Sequence, residues 1–180
     1  MTKLTPGRPI DADELQRFIA EEWGGFGGPD VHVPAVVTDD TRTIPIPAIF
    51  DELCEHVPPR VDRMSVLIAL GTHPQMTEPE PTAHLGAAWC ERAGVDAAQH
   101  DWWDDRAMTH VETIPASALE ALSGGRLSKD VPVRINSFAL DVDRILIVDP
   151  VFPHEAVGFS GGHKYFFPAI VGGTNRRFAR

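Results

Sequence analysis

The chain has 180 residues, 43% of them hydrophobic and 23% charged, a soluble globular composition that fits one domain of ordinary size. A net charge of −10 argues against a nucleic-acid or anionic-membrane surface, because phosphate binding of that kind needs clustered Lys and Arg. No apolar run reaches the roughly 18 residues of a membrane span and the N-terminus lacks the apolar core of a signal peptide, so a cytoplasmic protein is the expectation.

In chain order, Met1–Pro9 carries no pattern. Asp11–Trp23 reads as a helix, with Asp11 as N-cap, Glu14 three residues on, and Leu15, Phe18 and Ile19 on one face. Gly24–Pro29 ends it. Val31–Thr38 reads as a strand that runs straight into the polar loop Asp39-Asp40-Thr41-Arg42. Pro45 and Pro47 then precede a helix over Ala48–His56, with Ile49, Phe50 and Leu53 inward. Met64–Leu70 is apolar without alternation, the pattern of a strand covered on both faces in a parallel sheet. It ends at Gly71-Thr72-His73-Pro74.

A helix is expected over Thr82–Ala93, stopped by Gly94, followed by a polar, acidic loop over Asp96–Asp105. Thr109–Pro115 reads as a short strand and Ser117–Leu122 as a short helix stopped by Gly124-Gly125. Val131–Ile135 and Ile145–Val148 are two more strands. The second enters Pro153, His154, the turn Gly158-Phe159-Ser160-Gly161-Gly162 and then His163-Lys164, with a helix expected beyond. Alternating strands and helices predict an α/β fold with a mostly parallel sheet and helices on both faces. Cys54 and Cys90 form no CxxC and read as small buried hydrophobes.

Three strand ends carry reactive side chains: Asp39 with Arg42, His73, and His154 with Lys164. In a parallel sheet these ends line one edge, so groups far apart in sequence converge in one crevice. Each has a plainer reading as a turn residue, a cap or a surface charge. The other histidines, His32, His56, His84, His100 and His110, read as structural or solvated. Lys164, between a glycine turn and an apolar run, suits phosphate binding or a desolvated nucleophile. Gly158–Gly162 matches the G-x-S-x-G elbow of α/β hydrolases, but no Asp or Glu follows Ser160, which excludes that triad order. The P-loop pattern also fails, since His163 stands where glycine is needed and Tyr165 where Ser or Thr is needed.

Asp39-Asp40-Thr41-Arg42, Gly71-Thr72-His73, and Pro153-His154 followed by Gly158-Phe159-Ser160-Gly161-Gly162-His163-Lys164 resemble, in order and spacing, the N-terminal domain of the nickel-dependent lactate racemase family. The resemblance covers roughly Val31 to Gly173. It implies a Rossmann-like α/β domain and a nickel-pincer nucleotide, a pyridinium-derived cofactor tethered to lysine, here Lys164. It implies His73 and His154 as paired acid/base catalysts on a small 2-hydroxy acid and Arg42 as a substrate contact. Asp39 and the turn residues Gly158, Ser160, Gly161 and Gly162 become cofactor contacts, and cofactor-building enzymes become partners. Family members are longer, with a second domain that has no counterpart here, so the expectation is a single domain and a truncated racemase or epimerase. The family's nickel-binding histidine comes after the lysine, whereas no histidine comes after His163, so no metal ligand is assigned. The alternative is a non-catalytic remnant or a nucleotide- or phosphate-binding module of the same fold.

Overall fold

The computed structural model describes residues 9–23, 27–57, 59, 61–86, 95–155 and 158–173. Their elements are α1 (Ala12–Trp23), β1 (Gly28–Thr38), α2 (Ile46–His56), β2 (Val61–Ala69), α3 (Glu80–Leu85) and β3 (Val95–Gln99). Next in the chain are β4 (Met108–Ile114), α4 (Ala116–Ser123), β5 (Val131–Asn136), β6 (Leu146–Val148), β7 (Phe152–His154) and β8 (Gly158–Ser160). Short 3₁₀ turns occupy Asp105–Ala107, Ser137–Ala139 and Gly162–Tyr165.

The central sheet has the order β3-β2-β1-β6, and every pair in it is parallel. The unbroken apolar runs explain this. Val33 to Val37 are buried on both faces of β1 and Met64 to Ala69 on both faces of β2. Val33, Ala35 and Val37 join a cluster with Ile19 of α1 and Phe50 and Leu53 of α2. Val36 and Leu67 point the other way, against Ala139, Ile170, Tyr165 and Phe166. One face of the sheet thus packs on helices, and the described part of the other packs on the Ser137–Ala139 turn and the 165–170 segment. The cap expected at Asp11 forms, its Oδ1 accepting the Glu14 N–H at 2.8 Å. Cys54 is buried, as expected. Among the described residues no helix is long and apolar enough to cross a membrane.

Four local expectations are corrected. The loop expected after residue 95 begins with a strand, β3. Its residues Val-Asp-Ala-Ala-Gln have no amphipathic signal, and pairing with Met64–Ile68 makes it an edge strand, helped by Arg63 and Asp96 at 2.6 Å. The helix expected to reach Ala93 stops at Leu85. Gly86 caps it with φ +93, where an added Cβ would lie 3.1 Å from Pro47 Cβ. Residues 87–94 lie outside the described chain, including Ala88, Trp89 and Cys90. The glycine turn is half strand, because Gly158–Ser160 pairs antiparallel with Phe152–His154. Where a helix was expected beyond Lys164, the lysine sits in a 3₁₀ turn, and the chain then bridges β5 through Ile135 and Val171. The β4–β5 ribbon forms its own antiparallel pair.

The topology locates the crevice. From β1 the chain steps to β2 and then β3 on one side; β6 comes back to the other side of β1. The order therefore reverses between β1 and β6, the switch point at which α/β sheets leave a cleft outside their carboxyl ends.

Candidate functional site

A crevice of about 250 Å³ opens at that switch point. Asp39 and Arg42 reach it from the end of β1, Gly71, Thr72 and His73 from the end of β2, and Ser160, Gly161, Lys164 and Tyr165 from the segment after β6. Of the strand-end groups expected to converge, Asp39, Arg42, His73 and Lys164 line this crevice and His154 does not.

His73 is held by its loop and by a carboxylate. The loop after β2 turns through Gly71 at φ +66, and the His73 N–H donates to Leu70 O at 2.9 Å. Nδ1 of His73 meets Oδ2 of Asp39. A carboxylate only accepts, so Nδ1 carries the hydrogen and Nε2 is the nitrogen left to face the crevice. Asp39 is 3% exposed, and its other oxygen accepts Thr41 Oγ1–H at 2.6 Å and Thr41 N–H at 3.3 Å. The carboxylate is locked by its own loop, while the imidazole is 47% exposed at the crevice. Asp39, read from the resemblance as a cofactor contact, therefore orients the histidine.

The glycine turn differs from a phosphate cradle. The Gly162 N–H donates to Asp149 Oδ2 at 3.0 Å, and the Ser160 hydroxyl donates to Phe152 O at 3.2 Å. Gly158 is opposite His154 in the hairpin. Of the four turn residues expected to touch a cofactor, Ser160 and Gly161 line the crevice. His154 is not among the lining residues. It shares a ribbon face with Phe152, which does line it, because side chains alternate along a strand. Its Nδ1 lies 3.8 Å from Glu155.

Two participants were missed in the sequence. Tyr165 lines the crevice and hydrogen-bonds Thr38, and burial pushes its phenol pKa up, so it stays protonated. Only its adjacency to Lys164 could have flagged it. Asp149, directly after β6, had no motif around it. Burial raises its carboxyl pKa above the ordinary 3.8, against the Gly162 N–H, which lowers it. An acid whose folded pKa is raised keeps its proton where the unfolded chain has lost it. Stability therefore falls as pH climbs from near 3.8 through the folded value. Asp149→Asn is expected to gain stability over the native chain at pH about 7 and to lose that gain near pH about 4. Urea midpoints at the two pH values test this; an equal difference at both would refute it.

The donor set suits a tethered group in part. Lys164 offers an amine at the crevice. Among the described residues, the side chains that could share a metal ion are Glu52, Glu55 and His56 of α2, none of which lines the crevice. A metal there would have to be held chiefly by the group that carries it. His84 and His100 serve the scaffold, as read from the sequence. His84 Nε2 meets Thr38 O at 2.8 Å, and buried His100 lies between Asn136 Nδ2 at 3.0 Å and Val171 O at 3.2 Å.

Known proteins resemble the chain in sequence and fold. The chain is 28% identical over 144 residues to a lactate racemase of Thermoanaerobacterium thermosaccharolyticum, covering 78% of this chain and 30% of that protein. A solved protein from Thermotoga maritima superposes with a TM-score of 0.82 at 26% identity, covering 94% of this chain and 40% of that one. The lactate racemase apoprotein from T. thermosaccharolyticum superposes at 0.66 with 23% identity, over 91% of this chain and 37% of that one. The chain thus spans less than half the length of these relatives. The sequence profile of the lactate racemase N-terminal domain matches residues 8–175, and the chain belongs to that family.

Proposed function

We propose that this chain is the proton-transfer half of a lactate racemase-like enzyme acting on a small 2-hydroxy acid, with a nickel-pincer nucleotide tethered at Lys164. The observation that carries the reading is the Asp39-oriented His73 in one crevice with Lys164 and Arg42. When bound, the nucleotide supplies a site that takes and returns the α-hydrogen as hydride. The chain's own residues do the rest. His73 Nε2 takes the hydroxyl proton, with Asp39 stabilising the imidazolium that forms. The Arg42 guanidinium matches a substrate carboxylate. The crevice wall of Tyr165, Pro168 and Ala169 limits water around the reacting carbon. Inversion needs a second acid on the opposite face; His154 is assigned that role, supported by its place on the same ribbon face as Phe152.

The cofactor-building enzymes are the partners this reading requires, and they supply its test. Produced alongside them, the chain gains mass on the Lys164 peptide, and Lys164→Ala does not. An unmodified Lys164 in the native chain refutes the tether. A non-catalytic or phosphate-binding role for the same fold has one observation in its favour, the position of His154 outside the crevice lining. That role predicts no racemisation of any 2-hydroxy acid, even with the cofactor supplied.

A further inference from the structure

We propose that Asp149 is the positioning residue of the glycine turn: its carboxylate takes the place of a ligand anion and, by holding the Gly161-Gly162 backbone, aims the Lys164 amine into the crevice. The proposal rests on the reading of Lys164 as the reacting amine.

Three observations support it. First, Asp149 stands on a fixed base. Val148, the residue before it, pairs with Val37 of central β1, so the carboxylate projects one residue beyond the last paired position of β6. Second, the turn is packed directly onto that carboxylate. Asp149 Oδ2 accepts the Gly162 N–H at 3.0 Å. A Cβ on Gly161 would lie 2.3 Å from the same oxygen, 2.6 Å from Pro150 O and 2.9 Å from Val151 Cγ2. Gly161 also has φ +87. Only glycine allows this approach and this backbone conformation together. Third, the turn is bonded to the lysine's own backbone: the Lys164 N–H donates to Gly161 O at 3.3 Å. A short bonded path therefore runs from the sheet through Asp149 and the turn to Lys164, and the Gly162 amide is not left for a phosphate.

The hydrogen bond, rather than the charge, is the positioning device. Asparagine keeps an acceptor oxygen at the same reach, whereas alanine removes it and glutamate carries it a methylene too far into a contact that is already tight. The probe is trace acylation with acetic anhydride, read by peptide mass spectrometry as the ratio of labelling at Lys164 to labelling at exposed Lys129. In Asp149→Ala and in Asp149→Glu that ratio is expected to rise about fivefold, as the released turn exposes the amine. In Asp149→Asn it is expected to stay within about twofold of the native chain, the rescue that a conservative acceptor provides. Unchanged ratios in the alanine and glutamate variants would overturn the proposal, and so would an asparagine variant that behaves like alanine. The glutamate variant keeps the test open if the alanine variant does not fold. Failure of Lys164 to gain mass in the native chain would strike the tether reading alone, since the acylation ratio needs no cofactor.

Discussion

Under the proposed function, replacing His73 with glutamine is expected to lower racemisation of the 2-hydroxy acid by about 10²–10⁴-fold, the usual contribution of a positioned acid/base. The assay is interconversion of the enantiomers of a panel of small 2-hydroxy acids by protein produced with the cofactor-building enzymes. Glutamine retains polarity and approximate size but cannot take the proton. The side chain is 47% exposed, so its loss should leave the thermal midpoint nearly unchanged. Asp39→Asn is the companion test. An asparagine amide can present N–H to Nδ1, which favours the tautomer with hydrogen on Nε2 and leaves no lone pair there for the substrate. The loss should be on the order of 10⁴-fold, the scale seen when a buried carboxylate behind a catalytic histidine is neutralised in a serine protease. Full activity in His73→Gln would sink the proton-transfer role. Full activity in Asp39→Asn with an inactive His73→Gln would remove Asp39 from the mechanism and leave the histidine in it.

The largest expected stability effect lies in α2. Phe50 is fully buried in the cluster between the helices and the β1 face. Phe50→Ala deletes an aromatic ring from a packed interior and leaves a cavity, at a cost of about 3–5 kcal/mol. That is a large share of the roughly 5–15 kcal/mol that holds most domains folded. Urea unfolding should show a much lower midpoint with a similar slope. Phe159→Ala is the control, because Phe159 is 65% exposed on the hairpin and should cost less than about 0.5 kcal/mol. Equal effects at the two positions would mean that the cluster under β1 is not the main core.

The difference between those phenylalanines shows where sequence reading works. Phe50 sits at helical spacing from Ile46 and Leu53, and that period points inward whatever the neighbours are. Phe159 sits in a glycine-rich stretch with no period, and its exposure results from the β7–β8 hairpin. Likewise β3 was hidden because an edge strand owes its existence to β2. The close approach that requires glycine where α3 stops was hidden because its neighbour there, Pro47, is far away in sequence.

The sequence by itself determined the parallel sheet, through two apolar runs too continuous for a sheet with a wet face. It determined that Asp39, His73 and Lys164 share a sheet edge, since each comes soon after a strand. It also carried the family, through the long glycine-and-lysine stretch. Tertiary structure alone decided what those residues do to one another. A carboxylate at one strand end meets an imidazole at the next, so Asp39 became an orienting group. The Gly162 amide meets Asp149, so the turn packs on the residue after β6. Both outcomes depend on hydrogen bonds between groups many residues apart, whose partners are chosen by strand order and register, which local sequence does not encode.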